Sequence, residues 1–188
     1  MSIKDTVGID LGLTENEKSL LLKIARTTIE ARINGEPPPE IIAETPALQE
    51  KRGAFVSLHA QGNLRGCIGY IIAEKPLYKT IQEMAIAAAF KDPRFEPLSR
   101  SELDGLAIEI SVLTPMKRIA DSSEIEAGKH GIMITKGYFS GLLLPQVATE
   151  YGWGREKFLA QTCIKAGLQA DAWKEPDTNI FIFSADVF

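Results

Sequence analysis

Residues 64–69 of the chain read Leu64-Arg65-Gly66-Cys67-Ile68-Gly69, so a cysteine lies between two glycines inside an otherwise apolar run. Side chains alternate between the two faces of a β-strand, which would place Arg65, Cys67 and Gly69 on one face. Glycines in a strand often mark a point at which something approaches the backbone closely. A thiol near a guanidinium and between residues without side chains has the features of an accessible, reactive cysteine. The pattern predicts a functional site at Cys67 but names no reaction.

Hydrophobic periodicity divides the rest of the chain into helices and strands. Apolar residues at helical spacing predict helices over 15–33, 76–90 and 155–166, with shorter helical turns over 122–127 and 147–151. Alternating or continuous apolar runs predict strands over 54–59, 64–72, 107–113, 131–135, 138–144 and 179–183. Thr14 and Glu17 have the spacing of a capping box before the first helix. Because hairpins and helices are mixed without regular βαβ alternation, the expected fold class is α+β, with a mixed or antiparallel sheet flanked by helices.

Composition argues against several classes of protein. The chain has 188 residues, of which 45% are hydrophobic and 24% charged, as is ordinary for a globular domain. Its apolar runs are shorter than the ~20 residues that span a bilayer, and its first residues lack the apolar core of a signal peptide, so no membrane segment and a cytoplasmic location are expected. The net charge of −4 argues against nucleic-acid binding, because neutralisation of phosphates dominates that affinity.

The two cysteines and two histidines limit the redox and metal chemistry that the sequence supports. Cys67 and Cys163 are too few for a disulfide framework, and isolated thiols in a cytosolic chain are expected to stay reduced. Neither a Cys-x-x-Cys nor a His-Glu-x-x-His motif is present, so no metal site and no cofactor are predicted. Cys163 falls on the apolar stripe of its helix and is expected in the core.

Three charged residues outside the hexapeptide are further candidates for the site. Glu109 lies in the middle of an apolar strand, where a carboxylate is costly unless it is paired or faces a cleft. It is a candidate catalytic base or ligand contact, and the alternative is a structural ion pair with Arg65 or Arg94. Asp92 and Arg94 lie in a loop with two prolines, where they either supply a binding pocket or simply turn the chain.

The histidines and one glutamine complete the candidates. His130 titrates near neutral pH as a free side chain and is a candidate acid or base, and the alternative is a ring that caps a local turn. His59 lies in a predicted strand beside a hairpin turn and is expected to be a solvated edge residue. Gln146 follows Pro145 at the end of an apolar run and is a candidate polar anchor in a groove, or else the end of a core strand.

Several of these segments together resemble the AMMECR domain family, whose hallmark is the hexapeptide at 64–69. The match continues in Asp92-Pro93-Arg94-Phe95, Glu109-Ile110-Ser111-Val112-Leu113, His130-Gly131-Ile132, Gly141-Leu142-Leu143-Leu144-Pro145-Gln146-Val147-Ala148 and Cys163-Ile164-Lys165-Ala166-Gly167-Leu168. These segments lie in family order from about residue 14 to about residue 183. The resemblance implies a single domain over 1–188, with a larger and a smaller subdomain.

What the resemblance implies about function is limited. No activity is established for the family, so whether the chain is an enzyme stays open. Prokaryotic members are often encoded beside a Memo-type protein and a radical SAM protein, which suggests these two as partners. The sequence makes no prediction of oligomeric state.

The sequence supports one leading hypothesis and one alternative. The leading hypothesis is cysteine-dependent chemistry on a small molecule or a modified residue in a cleft between the lobes. Cys67 would be the nucleophile and His130 the proton carrier, with Glu109 as a further catalytic candidate. The residues expected to contact the substrate, with an anion held by the first of them, are Arg65, Gly66, Gly69, Asp92, Arg94 and Gln146. The alternative is a non-catalytic adaptor that docks a partner protein through the hexapeptide and the Leu144-Pro145-Gln146 segment.

Overall fold

The computed structural model describes residues 9–72 and 74–188. The chain divides into two compact units. The first unit consists of residues 12–113 together with 187–188, and the second contains residues 9–11 and 114–186. Among the described residues, no helix is both long enough and apolar enough to cross a membrane.

The first unit carries a sheet with helices on one face. Its elements are α1 (Glu15–Asn34), α2 (Pro46–Gln49), β1 (Ala54–Ala60), β2 (Asn63–Tyr70), α3 (Leu77–Phe90), a 3-10 helix (Arg100–Gly105) and β3 (Leu106–Leu113). The strands of this unit lie in the order β2-β1-β3. The last strand of the chain is β8 (Ala185–Val187). β2 is therefore an edge strand, and β1 lies between two neighbours.

The second unit has its own sheet and its own core. Its elements are β4 (Lys117–Ile119), a 3-10 helix (Ser122–Glu124), β5 (Gly131–Lys136), β6 (Phe139–Leu143), α4 (Pro145–Glu150), α5 (Arg155–Lys165), a 3-10 helix (Ala172–Lys174) and β7 (Asn179–Phe183). The strand order is β4-β7-β5-β6. The core is built on Phe158, Leu159 and Cys163 of α5, which are fully buried against the sheet. The prediction that Cys163 is a core residue is confirmed.

The predicted α+β fold class is confirmed, and both sheets are antiparallel. The capping box at the start of α1 is also confirmed, because the Thr14 hydroxyl accepts from the Glu17 amide and the Glu17 carboxylate accepts from the Thr14 amide. Other boundaries differ from the sequence prediction. β2 ends at Tyr70 rather than at residue 72, and Pro76 is the N-cap of α3, with extended backbone, rather than its first helical residue.

The sheet of the first unit presents one apolar face to its helices. Alternate residues of β1, namely Ala54, Val56 and Leu58, are fully buried. Opposite Leu58 lies Gly66 of β2, where an added Cβ would come within 2.2 Å of the Ala88 carbonyl oxygen in α3. The absence of a side chain at this position is what allows the strand and the helix to pack backbone against backbone.

Replacing Gly66 with alanine should destabilise the protein, because the new methyl group would meet rigid helix backbone. We expect the free energy of unfolding to fall by about 1–3 kcal/mol or more, the range that is typical of overpacked sites. Gly105→Ala is the matched control, since nothing lies within 4 Å of the Cβ position there. Urea denaturation of both variants measures the difference. Equal stability of the two variants would contradict the close packing of β2 on α3.

Candidate functional site

The backbone of Cys67 is held on the open side of the edge strand β2 by two side chains. The Cys67 amide donates to Asp92 Oδ2 at 2.9 Å, and the Cys67 carbonyl accepts from Arg94 Nη2 at 3.4 Å. Asp92 in turn accepts from the Nε of Arg94 at 2.9 Å and from its Nη2 at 2.7 Å. The carboxylate and the guanidinium therefore occupy positions at which a further strand would pair. We call this arrangement the Asp92–Arg94 clamp.

Pairing with Arg94 keeps the buried carboxylate of the clamp ionised. The side chain of Asp92 is only 2% exposed, whereas that of Arg94 is 53% exposed. The hydrogen bonds from Arg94, supported by the amides of Cys67 and Arg94 and opposed by burial, lower the pKa of Asp92 to about 2. The hydrogen bond to Asp92 is also the main cause that raises the pKa of Arg94. The clamp is thus a charged pair at any pH near neutrality.

Arg65 of β2 is anchored by a different carboxylate, which belongs to the 3-10 helix Arg100–Gly105. The register between β1 and β2 shifts at this point, because Leu58 lies opposite Gly66 while His59 lies opposite Leu64, which leaves Arg65 as the extra residue of a β-bulge. The regular alternation expected from the sequence is interrupted there. Arg65 Nε donates to Glu102 Oε1 at 2.7 Å.

The carboxylate that binds Arg65 also caps the following 3-10 helix. Glu102 accepts from the amide and the hydroxyl of Ser99. The bond from Arg65 is the largest cause that lowers the pKa of Glu102, to about 2. The ring centroid of Phe95 lies 5.8 Å from Arg65 Cζ and 5.4 Å from Arg94 Cζ, within the range of cation–π contacts. The loop after α3 is thus attached to β2 through both arginines. The expected ion pair between Glu109 and Arg65 or Arg94 stays a prediction.

The thiol of Cys67 belongs to a row of polar residues across three strands. Cys67 pairs with Ser57 of β1, which pairs on its other side with Glu109 of β3. Directly opposite residues project from the same face, so all three side chains lie on the face turned away from α3. The hydroxyl of Ser57 donates to Cys67 Sγ at 3.2 Å. The structure therefore brings the predicted Cys67 and Glu109 to one face and adds Ser57, which the sequence analysis did not single out.

His59 lies on the same face, and its predicted environment is wrong. β1 is an inner strand, so His59 is not an edge residue, and its Nε2 atom is buried without a hydrogen-bond partner among the described residues. The pattern of β1 carried a signal that points to this face, because Ala54, Val56 and Leu58 form the apolar side. Ser57 and His59 must then share the opposite side. We call Cys67, Ser57, His59 and Glu109 the polar face.

Gly69 of β2 packs closely against the ring of Phe55 in β1. An added Cβ would lie 2.3 Å from the Phe55 ring. Gly66 and Gly69 are thus required by packing on opposite faces of the strand. Their predicted contact with a substrate stays a prediction.

The structure places the other two predicted site residues in the second unit. The Nδ1 atom of His130 accepts from the Glu126 amide at 3.1 Å, so its ring closes a local turn, and burial is the main cause that lowers its pKa. Gln146 is buried in the first turn of α4, so it begins a helix and does not end a strand. The predicted pairing of His130 with Cys67 and the anchoring role of Gln146 stay predictions.

The second cysteine has the opposite character from Cys67. Cys163 is fully buried, whereas Cys67 is partly exposed. Burial raises the pKa of the Cys163 thiol. Within the described part of the chain, no three or more His, Cys, Asp or Glu side chains form a group that could hold a metal ion.

The Asp92–Arg94 clamp should make stability depend on pH in acid. Because the folded pKa of Asp92 is about 2 and its ordinary value is 3.8, its contribution is present above about pH 4 and is lost as the pH falls towards 2. We expect Asp92→Asn to lower the free energy of unfolding at pH 7 by about 2 kcal/mol. The difference in stability between the wild type and the variant should shrink as the pH is lowered towards 2. Urea denaturation across this pH range measures it, with the exposed Asp104→Asn as control. A loss that is independent of pH would contradict the ionic clamp.

Comparisons with known proteins give the family and no activity. The family model described as AMMECR1 matches residues 22–188. A protein of Methanothermobacter thermautotrophicus is 43% identical over 183 residues, covering 94% of this chain and 95% of its own. A protein of Thermococcus gammatolerans is 46% identical over 182 residues, covering 89% and 87%.

A solved structure is similar throughout. The crystal structure of the uncharacterized protein PH0010 from Pyrococcus horikoshii matches with a TM-score of 0.85 and 40% sequence identity, covering 89% of this chain and 88% of that one. The hexapeptide around Cys67 thus lies within a domain whose sequence and fold are both shared with archaeal proteins. The chain belongs to the AMMECR1 family.

Proposed function

We propose that Cys67 is the nucleophile of a thiol-dependent reaction on a small molecule or a modified residue. The observation that carries this proposal is that neighbouring side chains hold both the backbone and the sulfur of Cys67. The Asp92–Arg94 clamp holds the peptide of Cys67 on one side, and the Ser57 hydroxyl donates to its sulfur on the other. A nucleophile that is fixed before the substrate arrives loses less freedom in the transition state.

The charge of Arg94 favours the anionic form of the sulfur. After the effects of Asp92, the charge of Cys67 also contributes to raising the pKa of Arg94. This attraction is mutual, so the guanidinium favours a thiolate at Cys67, and the thiolate is the reactive species. The Ser57 hydroxyl adds a hydrogen bond to that charge. A reduced thiol also requires a reducing compartment, and we propose a cytoplasmic location.

The two arginines have different access to a substrate. The side chain of Arg65 is 16% exposed and pairs with Glu102, whereas that of Arg94 is 53% exposed. We therefore assign the contact with an anionic part of the substrate to Arg94 in preference to Arg65. The proton of the thiol needs an acceptor, and the predicted one, His130, lies in the second unit.

Alkylation by iodoacetamide tests the proposal. We expect the folded protein to take up one equivalent per chain, at Cys67, because Cys163 is fully buried. In urea the uptake should rise to two equivalents, since the chain has two cysteines. Mass spectrometry of the intact and the digested protein gives both values.

Cys67→Ser is the matched variant for this experiment. It should take up no reagent while folded and should melt within a few degrees of the wild type, because it preserves the backbone that the clamp binds. If the folded wild type is not modified at Cys67, or if it is modified at Cys163 first, the nucleophile proposal is wrong.

A second candidate function, protein docking, is favoured by exposed hydrophobic residues in the edge strand and just after it. Leu64 is 41% exposed, Tyr70 46% and Ile72 71%. Exposed apolar residues at an open sheet edge offer a partner both apolar surface and unpaired backbone groups. We propose as the alternative that this edge binds a Memo-type protein or a radical SAM protein and that Cys67 has no chemical role.

Co-expression of the chain with each partner separates the two functions. The docking alternative expects Ile72→Asp to weaken the complex by about tenfold or more, because burying a charge is costly, while Cys67→Ser leaves it intact. Analytical size exclusion and calorimetry measure the complex. Failure of both partners to bind the wild-type chain would refute the alternative.

A further inference from the structure

His59 is the titratable residue of the polar face that the proposed function does not use. It lies two residues from Ser57 on the inner strand β1, between the strand of Cys67 and that of Glu109. The register pairs Ser57 with both of these residues, so His59 is a diagonal neighbour of each. Diagonal neighbours in an antiparallel sheet are about 7–8 Å apart at Cα, a distance that ring and acidic side chains cover.

The imidazole of His59 has a buried nitrogen without a hydrogen-bond partner among the described residues. His59 Nε2 has no hydrogen-bond partner among the described residues and no contact with solvent. A buried polar atom without a partner is costly, so such atoms are rare in folded proteins and call for an explanation. An imidazole nitrogen left in this state on the same sheet face as a thiol is available to accept or deliver a proton.

The composition of the face supports the same role. Cys67, His59 and Glu109 are a thiol, an imidazole and a carboxylate on adjacent strands, with the imidazole on the central one. A nucleophile, a base and a group that orients the base are the three parts of an activated nucleophile. His130, the other histidine of the chain, uses its Nδ1 atom to accept from the Glu126 amide.

We propose that His59 is the proton carrier for Cys67 and that Glu109 is a positioning residue for the imidazole. This inference rests on the proposed role of Cys67 as a nucleophile. The substrate class is a molecule with an electrophilic carbon that bears a leaving group. As the sulfur forms its bond to that carbon, the thiol proton passes to His59 Nε2, and the leaving group departs with the electron pair of the broken bond. The imidazolium then returns the proton to the leaving group.

The rate of iodoacetamide alkylation at Cys67, followed from about pH 5 to about pH 9, tests the proposal with the full chain. His59→Gln should lower the second-order rate constant near pH 7 by about tenfold or more, which is a modest share of what a proton carrier contributes. The pH profile should move upward towards the value of about 8.5 that is ordinary for a free thiol. Added imidazole should restore part of the rate in His59→Ala.

Two further variants keep the test decisive. Glu109→Gln should reduce the rate by a smaller factor than His59→Gln, and it carries the test if circular dichroism shows that the His59 variants do not fold. His130→Gln distinguishes the two histidines, because a loss of rate in that variant, with none in His59→Gln, would overturn the proposal. The proposal would also be overturned if folded His59→Gln kept the wild-type rate and pH profile. If the His59 variants misfold, the same result in Glu109→Gln would overturn it.

The proposal and the proposed function fail in different ways. If the folded wild-type chain does not react at Cys67, the nucleophile itself is refuted, and the role of His59 falls with it. If replacing His59 does not change the rate at which Cys67 reacts, the proposed role of Cys67 as nucleophile stands and only the assignment of the proton carrier is wrong.

Discussion

The hydrogen bonds between the Asp92–Arg94 clamp and the peptide of Cys67 are the interaction on which the site depends. Cys67 lies on an edge strand, whose outward amide and carbonyl groups would otherwise face solvent or invite another strand. The clamp satisfies both groups with a buried carboxylate and the guanidinium that neutralises it. Because the ion pair comes from a loop close in sequence to α3, it ties that loop to the strand and fixes the position of the thiol.

Packing on the other face of the strand completes this constraint. Gly66 lets β2 approach the backbone of α3, so the strand is held from behind while the clamp holds its edge. The face opposite α3 is then free to carry polar groups, and it carries Cys67, Ser57, His59 and Glu109. The hexapeptide is therefore a structural unit and a candidate site at once, since its glycines serve packing and its cysteine carries a partly exposed thiol.

The sequence predicted what depends on local pattern and missed what depends on distant pairing. The long helices α1 and α5 were placed to within a residue because their apolar periodicity and caps are local. The three-residue strands β4 and β8 are too short to show a period. The environment of His59 was misjudged because strand order cannot be read from one hairpin, and β1 becomes an inner strand only when β3, some fifty residues later, pairs with it. The partner of Arg65 was missed for the same reason, since Glu102 is 37 residues away.

Amide hydrogen exchange at Cys67 is the most direct measurement of the clamp. The Gly69 amide is the internal reference, because it lies two residues along the same strand, faces the same open side and makes none of the described hydrogen bonds. NMR-detected exchange should show the Cys67 amide protected by about a hundredfold or more relative to Gly69, as expected of a bond that breaks only when the structure opens. Equal exchange rates at the two amides would mean that Asp92 does not hold Cys67, and the account of the site would be wrong.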